Sequence, residues 1–168
     1  MDKKRLTEIF EAVNDTGALI VKPATDDEIK MCSEDITLPA EYIDFLQFAD
    51  GFSWNGFEFF GVYNVTVKSS GYTLKSIVWM NETYRERKFA FKDKILLGRF
   101  DDDIYVYDEE DGMYKSLDSL TMIEIDSYEH FEDLFFDVVS PYAFYEDDED
   151  EYDDEEENLT EDDGNADQ

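Results

Sequence analysis

The sequence LPAEYIDFLQFADGFSWNGFEFFG, residues 38–61, combines a helix pattern and a strand pattern in one block. Its first half predicts an amphipathic helix, because apolar residues recur at three- and four-residue intervals from Leu38 to Ala49. Pro39 suits the first turn of that helix, and Gly51 can adopt the left-handed conformation that ends one. The aromatic residues at 57–61 then predict a strand that is covered on both faces.

In the rest of the chain, the predicted helices and the predicted strands are largely segregated. Further helices are expected over 3–13, from Thr25, over 73–86, and from Ser127 until Pro141 ends the last one. Strands are expected near residues 57–62, 64–68, 94–99, 104–108, 113–117 and 121–125. This order indicates an α+β fold with a largely antiparallel sheet of about five or six strands and helices packed against it.

The charge of the chain is extreme and uneven. Of its 45 acidic residues, 15 lie from Glu146 to the end, where no basic residue occurs. Apolar residues nearly vanish there, so too little surface could be buried to offset chain entropy. We therefore predict one globular domain over residues 1–144 and a disordered acidic tail over 145–168. The 30 acidic and 14 basic residues of the domain leave a formal charge of −16.

This acidity limits the classes of molecule that the protein can bind. An anionic surface repels nucleic acid and anionic membranes, so the acidity serves either a basic protein partner, which we expect, or solubility alone. No run of about 20 apolar residues could cross a bilayer, and no apolar segment of a signal peptide follows the N-terminal charges. The single cysteine cannot form an internal disulfide, which favours a cytoplasmic location. The charge also opposes self-association unless an apolar face overrides it, and the sequence leaves the oligomeric state open.

In order and composition, four segments resemble the SUKH superfamily, which groups yeast cell-wall-assembly regulators with bacterial immunity proteins. The first is the 38–61 block, where the resemblance rests on Leu38-Pro39, Glu41-Tyr42, Phe45-Leu46, Asp50-Gly51 and Phe57 to Gly61. Residues 76–87 are similar to the middle helix of the family with its Asn. Residues 95–118 are similar to its late hairpins, and SYEHFEDLF is similar to its closing helix. The resemblance covers roughly residues 25–138.

The resemblance implies a SUKH-like fold and a bacterial immunity protein that binds a cognate toxin and blocks it. Many toxins linked to the family are nucleases, which present a cationic groove to phosphates. An acidic protein can cover such a groove, and opposed charge accelerates the encounter.

Little in the sequence points to catalysis, and we predict no enzyme activity, no cofactor and no metal. His130 is the single histidine and is expected near the start of the last helix, partly exposed. Cys32 is expected to be a small buried apolar residue. No phosphate loop and no zinc spacing occur. The three consecutive aspartates at 101–103 lack the EF-hand spacing and are expected to form a solvated turn.

We expect the partner to contact clustered acids beside aromatic residues. Two predicted turns supply the acids, and one loop residue and one strand residue supply the aromatic anchors. The predicted contact residues are Trp54, Asp101, Asp102, Asp103, Tyr105, Glu109, Glu110 and Asp111. Tyr142, Phe144, Tyr145 and Tyr152 could add a short recognition segment.

Two alternatives remain open at this point. The domain could be an intracellular regulatory or scaffold protein of the same fold that uses its acidic tail as an interaction arm. It could also be a metal-buffering or hydrolytic protein, although a single histidine weakens the second role.

Overall fold

The computed structural model describes residues 1–87 and 91–145. The helices of this part are α1 (Lys3–Val13), α2 (Asp26–Cys32), α3 (Ala40–Leu46), α4 (Ile77–Arg87) and α5 (Phe131–Ala143). The strands are β1 (Leu19–Ile20), β2 (Phe52–Trp54), β3 (Phe57–Phe59), β4 (Val65–Thr66), β5 (Thr73–Leu74), β6 (Lys94–Phe100), β7 (Asp103–Asp108), β8 (Met113–Asp118) and β9 (Glu124–Tyr128). The predicted acidic tail, apart from Tyr145, lies outside the described residues.

Seven strands form one antiparallel sheet in the order β1-β2-β3-β6-β7-β8-β9. β4 and β5 pair separately as a two-stranded ribbon. The predicted α+β class with an antiparallel sheet is confirmed. The sheet has more strands than the five or six expected, because two short strands that the sequence pattern does not reveal, β1 and β2, extend it at one edge.

Aromatic side chains join helices α1, α3 and α5 to one face of the sheet. Phe45 of α3 and Phe135 of α5 both pack on Phe59 of β3. Phe10 of α1 stacks on Phe52 of β2. Fully burying one such ring stabilises a fold by about 1.5–3 kcal/mol, so this aromatic layer holds the helices on the sheet.

Helix α4 meets the sheet where β3 ends. There the side chain of Asn81 accepts a hydrogen bond from the Leu96 amide at 2.8 Å and donates to the Leu96 carbonyl at 2.9 Å. The amide group of Asn81 thus satisfies the backbone of β6 as a neighbouring strand would. This contact explains why a buried asparagine lies on α4.

The last helix differs from its predicted bounds at both ends. Ser127 is not its N-cap, because β9 continues past it and pairs with β8. The helix starts at Phe131, whose amide donates to the Glu41 carboxylate of α3 at 2.7 Å. Pro141 does not end the helix, which continues to Ala143, because near a C-terminus only one amide donor is lost.

Three further boundaries differ from the sequence pattern. The last strand, β9, spans Glu124–Tyr128 rather than residues 121–125. Helix α3 ends at Leu46, so Gly51 does not terminate it, although Gly51 does have a positive φ of 104°. A Cβ at this glycine would lie 2.9 Å from the Leu74 side chain, so close packing also excludes larger residues there. Helix α4 starts at Ile77 rather than residue 73, because Thr73 and Leu74 pair with β4.

The longest described helix, α5, has 13 residues. Within residues 1–87 and 91–145, no helix has the length and apolar character needed to cross a membrane.

Candidate functional site

The two acidic turns predicted to form one contact surface lie at opposite ends of β7. Asp101 and Asp102 connect β6 to β7, whereas residues 109–112 connect β7 to β8. β7 itself spans six residues. At about 3.4 Å per residue, its two ends are roughly 17 Å apart. The structure therefore separates Asp101, Asp102 and Asp103, the Asp101–Asp103 turn, from Glu109, Glu110 and Asp111, the Glu109–Asp111 turn.

Lysines accompany the acids at the Glu109–Asp111 turn. The Lys115 ammonium lies 2.5 Å from the Asp111 carboxylate and 3.0 Å from that of Asp108. Lys94 also contacts Asp108, at 2.7 Å. Although burial alone raises the pKa of Asp108, the hydrogen bonds from these two lysines hold it below its ordinary value. Asp108 and Asp111 are thus neutralised by lysines, whereas Glu109 and Glu110 are exposed and form no ion pair in the part of the chain that the structure describes.

At the other end of β7 the acids have no basic partner among the described residues. Asp101 and Asp102 are exposed, and Asp103 is partly buried. Partial burial, followed by the charges of Asp118, Asp101 and Asp102, raises the pKa of Asp103. This mutual repulsion favours binding of an external cation, because a cation would relieve it.

A pocket of about 320 Å³ adjoins the Asp101–Asp103 turn, between α5 and the ends of β3, β6 and β7. We call it the aromatic pocket. Phe57 and Phe100 stack in it with ring centroids 3.9 Å apart, and the Tyr142 ring meets both edge-on at 5.2 and 5.3 Å. Its two carboxylates belong to Asp103 and Asp137, and no lysine or arginine contributes to the lining.

The two predicted aromatic anchors have different positions. Trp54 lies in a strand, not a loop, and is half-buried; its indole N–H donates to the Thr16 hydroxyl at 2.7 Å. Its ring continues the stack beyond Phe57. Tyr105 lines the aromatic pocket, but it is only 1% exposed and stacks on Phe59. Tyr105 therefore supports the pocket from inside and is not a surface anchor.

The sequence pattern missed Phe100 and Asp137 as site residues, whereas Phe57, like Tyr105, supports the pocket from inside. Phe57 was expected in the core, where it is indeed fully buried. Asp137 and Pro141 lie four residues apart on α5, as do Val138 and Tyr142, a spacing that places each pair on one helix face. That signal was hidden because Pro141 was expected to end the helix before Tyr142. Tyr142 thus belongs to a helix, whereas Phe144 and Tyr145 follow it and are exposed.

The residues most associated with catalysis lie outside this pocket. His130 is partly exposed, as expected, and is the N-cap of α5 rather than part of its first turn. Its Nδ1 lies 2.8 Å from the Glu41 carboxylate, and this hydrogen bond raises the pKa of His130. The prediction for Cys32 is confirmed: it is buried, and burial with the charges of Asp50 and Asp35 raises its pKa to about 11. Among residues 1–87 and 91–145, no group of three or more His, Cys, Asp or Glu side chains could hold a metal ion.

Comparisons with known proteins add no relative to this picture. The chain matches no protein-family model and no curated protein.

Proposed function

We propose that this chain is a non-catalytic protein-binding domain that recognises a basic partner at the Asp101–Asp103 turn and the aromatic pocket. One observation supports this proposal most strongly. The pocket combines stacked rings with the carboxylates of Asp103 and Asp137, and its lining contains no cationic residue of its own.

Such a pocket suits a lysine or arginine side chain. Aromatic faces attract a cation by about 0.5–1 kcal/mol at exposed sites, and more where water is excluded. A carboxylate adds charge-assisted hydrogen bonds of about 1.5–3 kcal/mol each. Exposed Asp101 and Asp102 lie beside the pocket and extend its negative potential outward.

The resemblance to SUKH proteins suggests which basic partner this is. We propose a toxin domain, with a nuclease as the favoured kind, so that this chain would act as its immunity protein. Charge complementarity supports that role, because opposed charges raise association rates by 10- to 1,000-fold. Rapid capture is what neutralising a toxin requires.

The positions of the reactive side chains support a non-catalytic role. The single histidine contacts Glu41 away from the pocket, and the Cys32 thiol is buried and protonated at neutral pH. The pocket lining offers carboxylates and rings but no nucleophile paired with a base.

Two matched variants test the binding site. One carries Asp101→Asn, Asp102→Asn and Asp103→Asn; the other carries Glu109→Gln, Glu110→Gln and Asp111→Asn, and so loses the same number of charges. The full chain is used to isolate basic proteins from its source cells, and association rates are measured by surface plasmon resonance at low salt. We expect about tenfold slower association for the first variant and less than twofold for the second.

Equal slowing by both variants would assign the effect to net charge and reject the site. Isolation of partners that are not basic would reject the proposed class of partner. Immunity is tested separately, by co-expressing the isolated partner with the wild-type chain and measuring growth. A partner that is harmless alone, or whose toxicity the chain does not relieve, would contradict the immunity role.

A further inference from the structure

A second groove lies on the opposite side of the sheet from α1, α3 and α5. Successive strand residues point to opposite faces, so Glu58 points away from the layer that its neighbours Phe57 and Phe59 join. Around Glu58, α4, the β4–β5 ribbon and the loop after β8 enclose about 490 Å³. We call this space the basic groove.

The charge of the groove is opposite to that of the chain. Three cationic side chains, Lys75, Arg87 and Arg99, line it together with one carboxylate, Glu58. Arg99 is already paired with Glu58 at 2.5 Å. Within the described part of the chain, Lys75 and Arg87 form no ion pair. The groove therefore keeps two uncompensated positive charges in a protein with a formal charge of −31.

The groove also has an exposed apolar wall. The Lys75 ammonium lies 5.1 Å above the ring of Trp79, which is 44% exposed. Leu120, on the facing loop, is 78% exposed. Cationic groups beside an open aromatic and aliphatic wall suit an acidic peptide that also carries aromatic or aliphatic residues.

We propose that the basic groove is the docking site of the chain's own acidic C-terminal segment, residues 146–168. This segment holds 15 acidic residues and no basic one. It also holds two large apolar residues, Tyr152 and Leu159, that match the wall formed by Trp79 and Leu120. The acidic and apolar residues of this segment thus complement the basic and apolar residues of the basic groove.

The segment begins close enough to reach the groove. Tyr142, in the last turn of α5, contacts Phe100 at the end of β6. One edge of the groove adjoins the same end of the sheet, because the Ser119 amide donates to the Asp102 carbonyl at 2.8 Å. Residues 146–152 alone can span about 24 Å when extended. That length exceeds the roughly 10 Å between packed layers.

Covalent attachment makes even a weak contact effective. A segment joined by a short linker has an effective concentration in the millimolar range, so a millimolar affinity is enough to populate the docked state. Since the attraction is electrostatic, salt should release the segment. This inference concerns a different face from the aromatic pocket and does not depend on the proposed function.

The test uses the full chain labelled with 5-fluorotryptophan and carrying a nitroxide at Asn158→Cys. The buried Cys32 thiol, with a pKa of about 11, stays unlabelled at neutral pH. In ¹⁹F NMR at low salt, we expect the nitroxide to remove most of the Trp79 signal and less of the Trp54 signal. About 1 M NaCl should restore Trp79, and so should Lys75→Glu with Arg87→Glu.

A matched control carries Lys22→Glu and Lys30→Glu, two exposed lysines outside the groove. It changes the net charge equally and should keep the loss of the Trp79 signal. The proposal would be overturned if the nitroxide reduced the Trp79 signal no more than the Trp54 signal. It would also be overturned if the Trp79 signal were lost equally in the wild type and in the variant with reversed groove charges. Broadening that appears only when labelled and fluorinated chains are mixed would assign the groove to a second copy and also overturn it.

Discussion

The Asp101–Asp103 turn and the Glu109–Asp111 turn have similar compositions but opposite surroundings. Both join neighbouring strands of one meander, and each contributes three acids. At the Glu109–Asp111 turn, Lys115 contacts Asp111 and the adjoining Asp108, with Lys94 beside it. At the Asp101–Asp103 turn, the nearest neighbours are further acids and aromatic rings.

Local partners, rather than the number of acids, thus decide whether an acidic turn stabilises the fold or offers a binding surface. Paired acids have satisfied hydrogen bonds and little to gain from a partner. Repelling acids reduce stability slightly and gain when a cation arrives. Four substitutions test this distinction.

Lys115→Met should destabilise the fold by about 2–3 kcal/mol. The substitution leaves Asp108, only 4% exposed, with one lysine instead of two. Breaking a buried ion pair usually costs about 3–5 kcal/mol, but Lys94 keeps part of the compensation here. Urea denaturation followed by circular dichroism measures the loss. The matched change Lys4→Met, at an exposed pair with Glu8, should cost less than about 0.5 kcal/mol. A similar cost for both variants would show that the Lys115 cluster is not special.

Asp103→Asn should instead increase the stability of the fold, and the increase should depend on pH. The raised pKa of Asp103 means that the folded state binds its proton more tightly than the unfolded chain does. Its favourable contribution is complete below the ordinary pKa of 3.8 and is lost as pH rises through the higher folded value. The variant should therefore match the wild type near pH 4 and be more stable at pH 7, by less than about 1 kcal/mol. Urea midpoints across this range measure the difference.

Asp108→Asn provides the contrast within the same strand. The lowered pKa of Asp108 stabilises the fold above pH 3.8, and this contribution is lost only as pH falls below that value. That variant should be less stable than the wild type at pH 7. If both variants shifted stability in the same direction, the distinction between the two turns would fail.

Tyr142→Ala should have the smallest effect. Tyr142 is 48% exposed, and its ring forms one wall of the aromatic pocket. Losing one exposed cation–π partner corresponds to about 0.5–1 kcal/mol, or two- to fivefold weaker binding of a tetra-arginine peptide. NMR titration measures the affinity. Tyr63→Ala removes a similarly exposed tyrosine outside the pocket and should leave the affinity unchanged. Equal weakening by both changes would place the peptide elsewhere.

The parts of the fold that could be predicted are those with strong local signals. Helix α1 and strands β6, β7 and β8 follow hydrophobic patterns, and α2 begins with the capping box of Thr25 and Glu28 as expected. β1 and β2 were not predicted, because strands of two or three residues show no periodic pattern and are defined only by their pairing. The start of α5 was not predicted because it also depends on a long-range contact: its first amide donates to Glu41, 90 residues earlier in the chain.

The candidate site was half predictable. The clustered aspartates are visible in the sequence, and Asp101, Asp102 and Asp103 do lie together beside aromatic rings. The lysines that pair with Asp108 and Asp111 could not be assigned in the same way. Lys94 reaches Asp108 only through the pairing of β6 with β7. Such long-range partners are set by register, which a single sequence does not specify.

The outer strand β9 has a consequence for how the molecule behaves among its own copies. Its side chains are exposed as far as Ser127, and they include Glu124 and Asp126. If a second copy tried to extend the sheet there, it would bring carboxylates against carboxylates along an unpaired backbone edge. The carboxylates of Glu124 and Asp126 therefore disfavour pairing between two β9 strands at neutral pH.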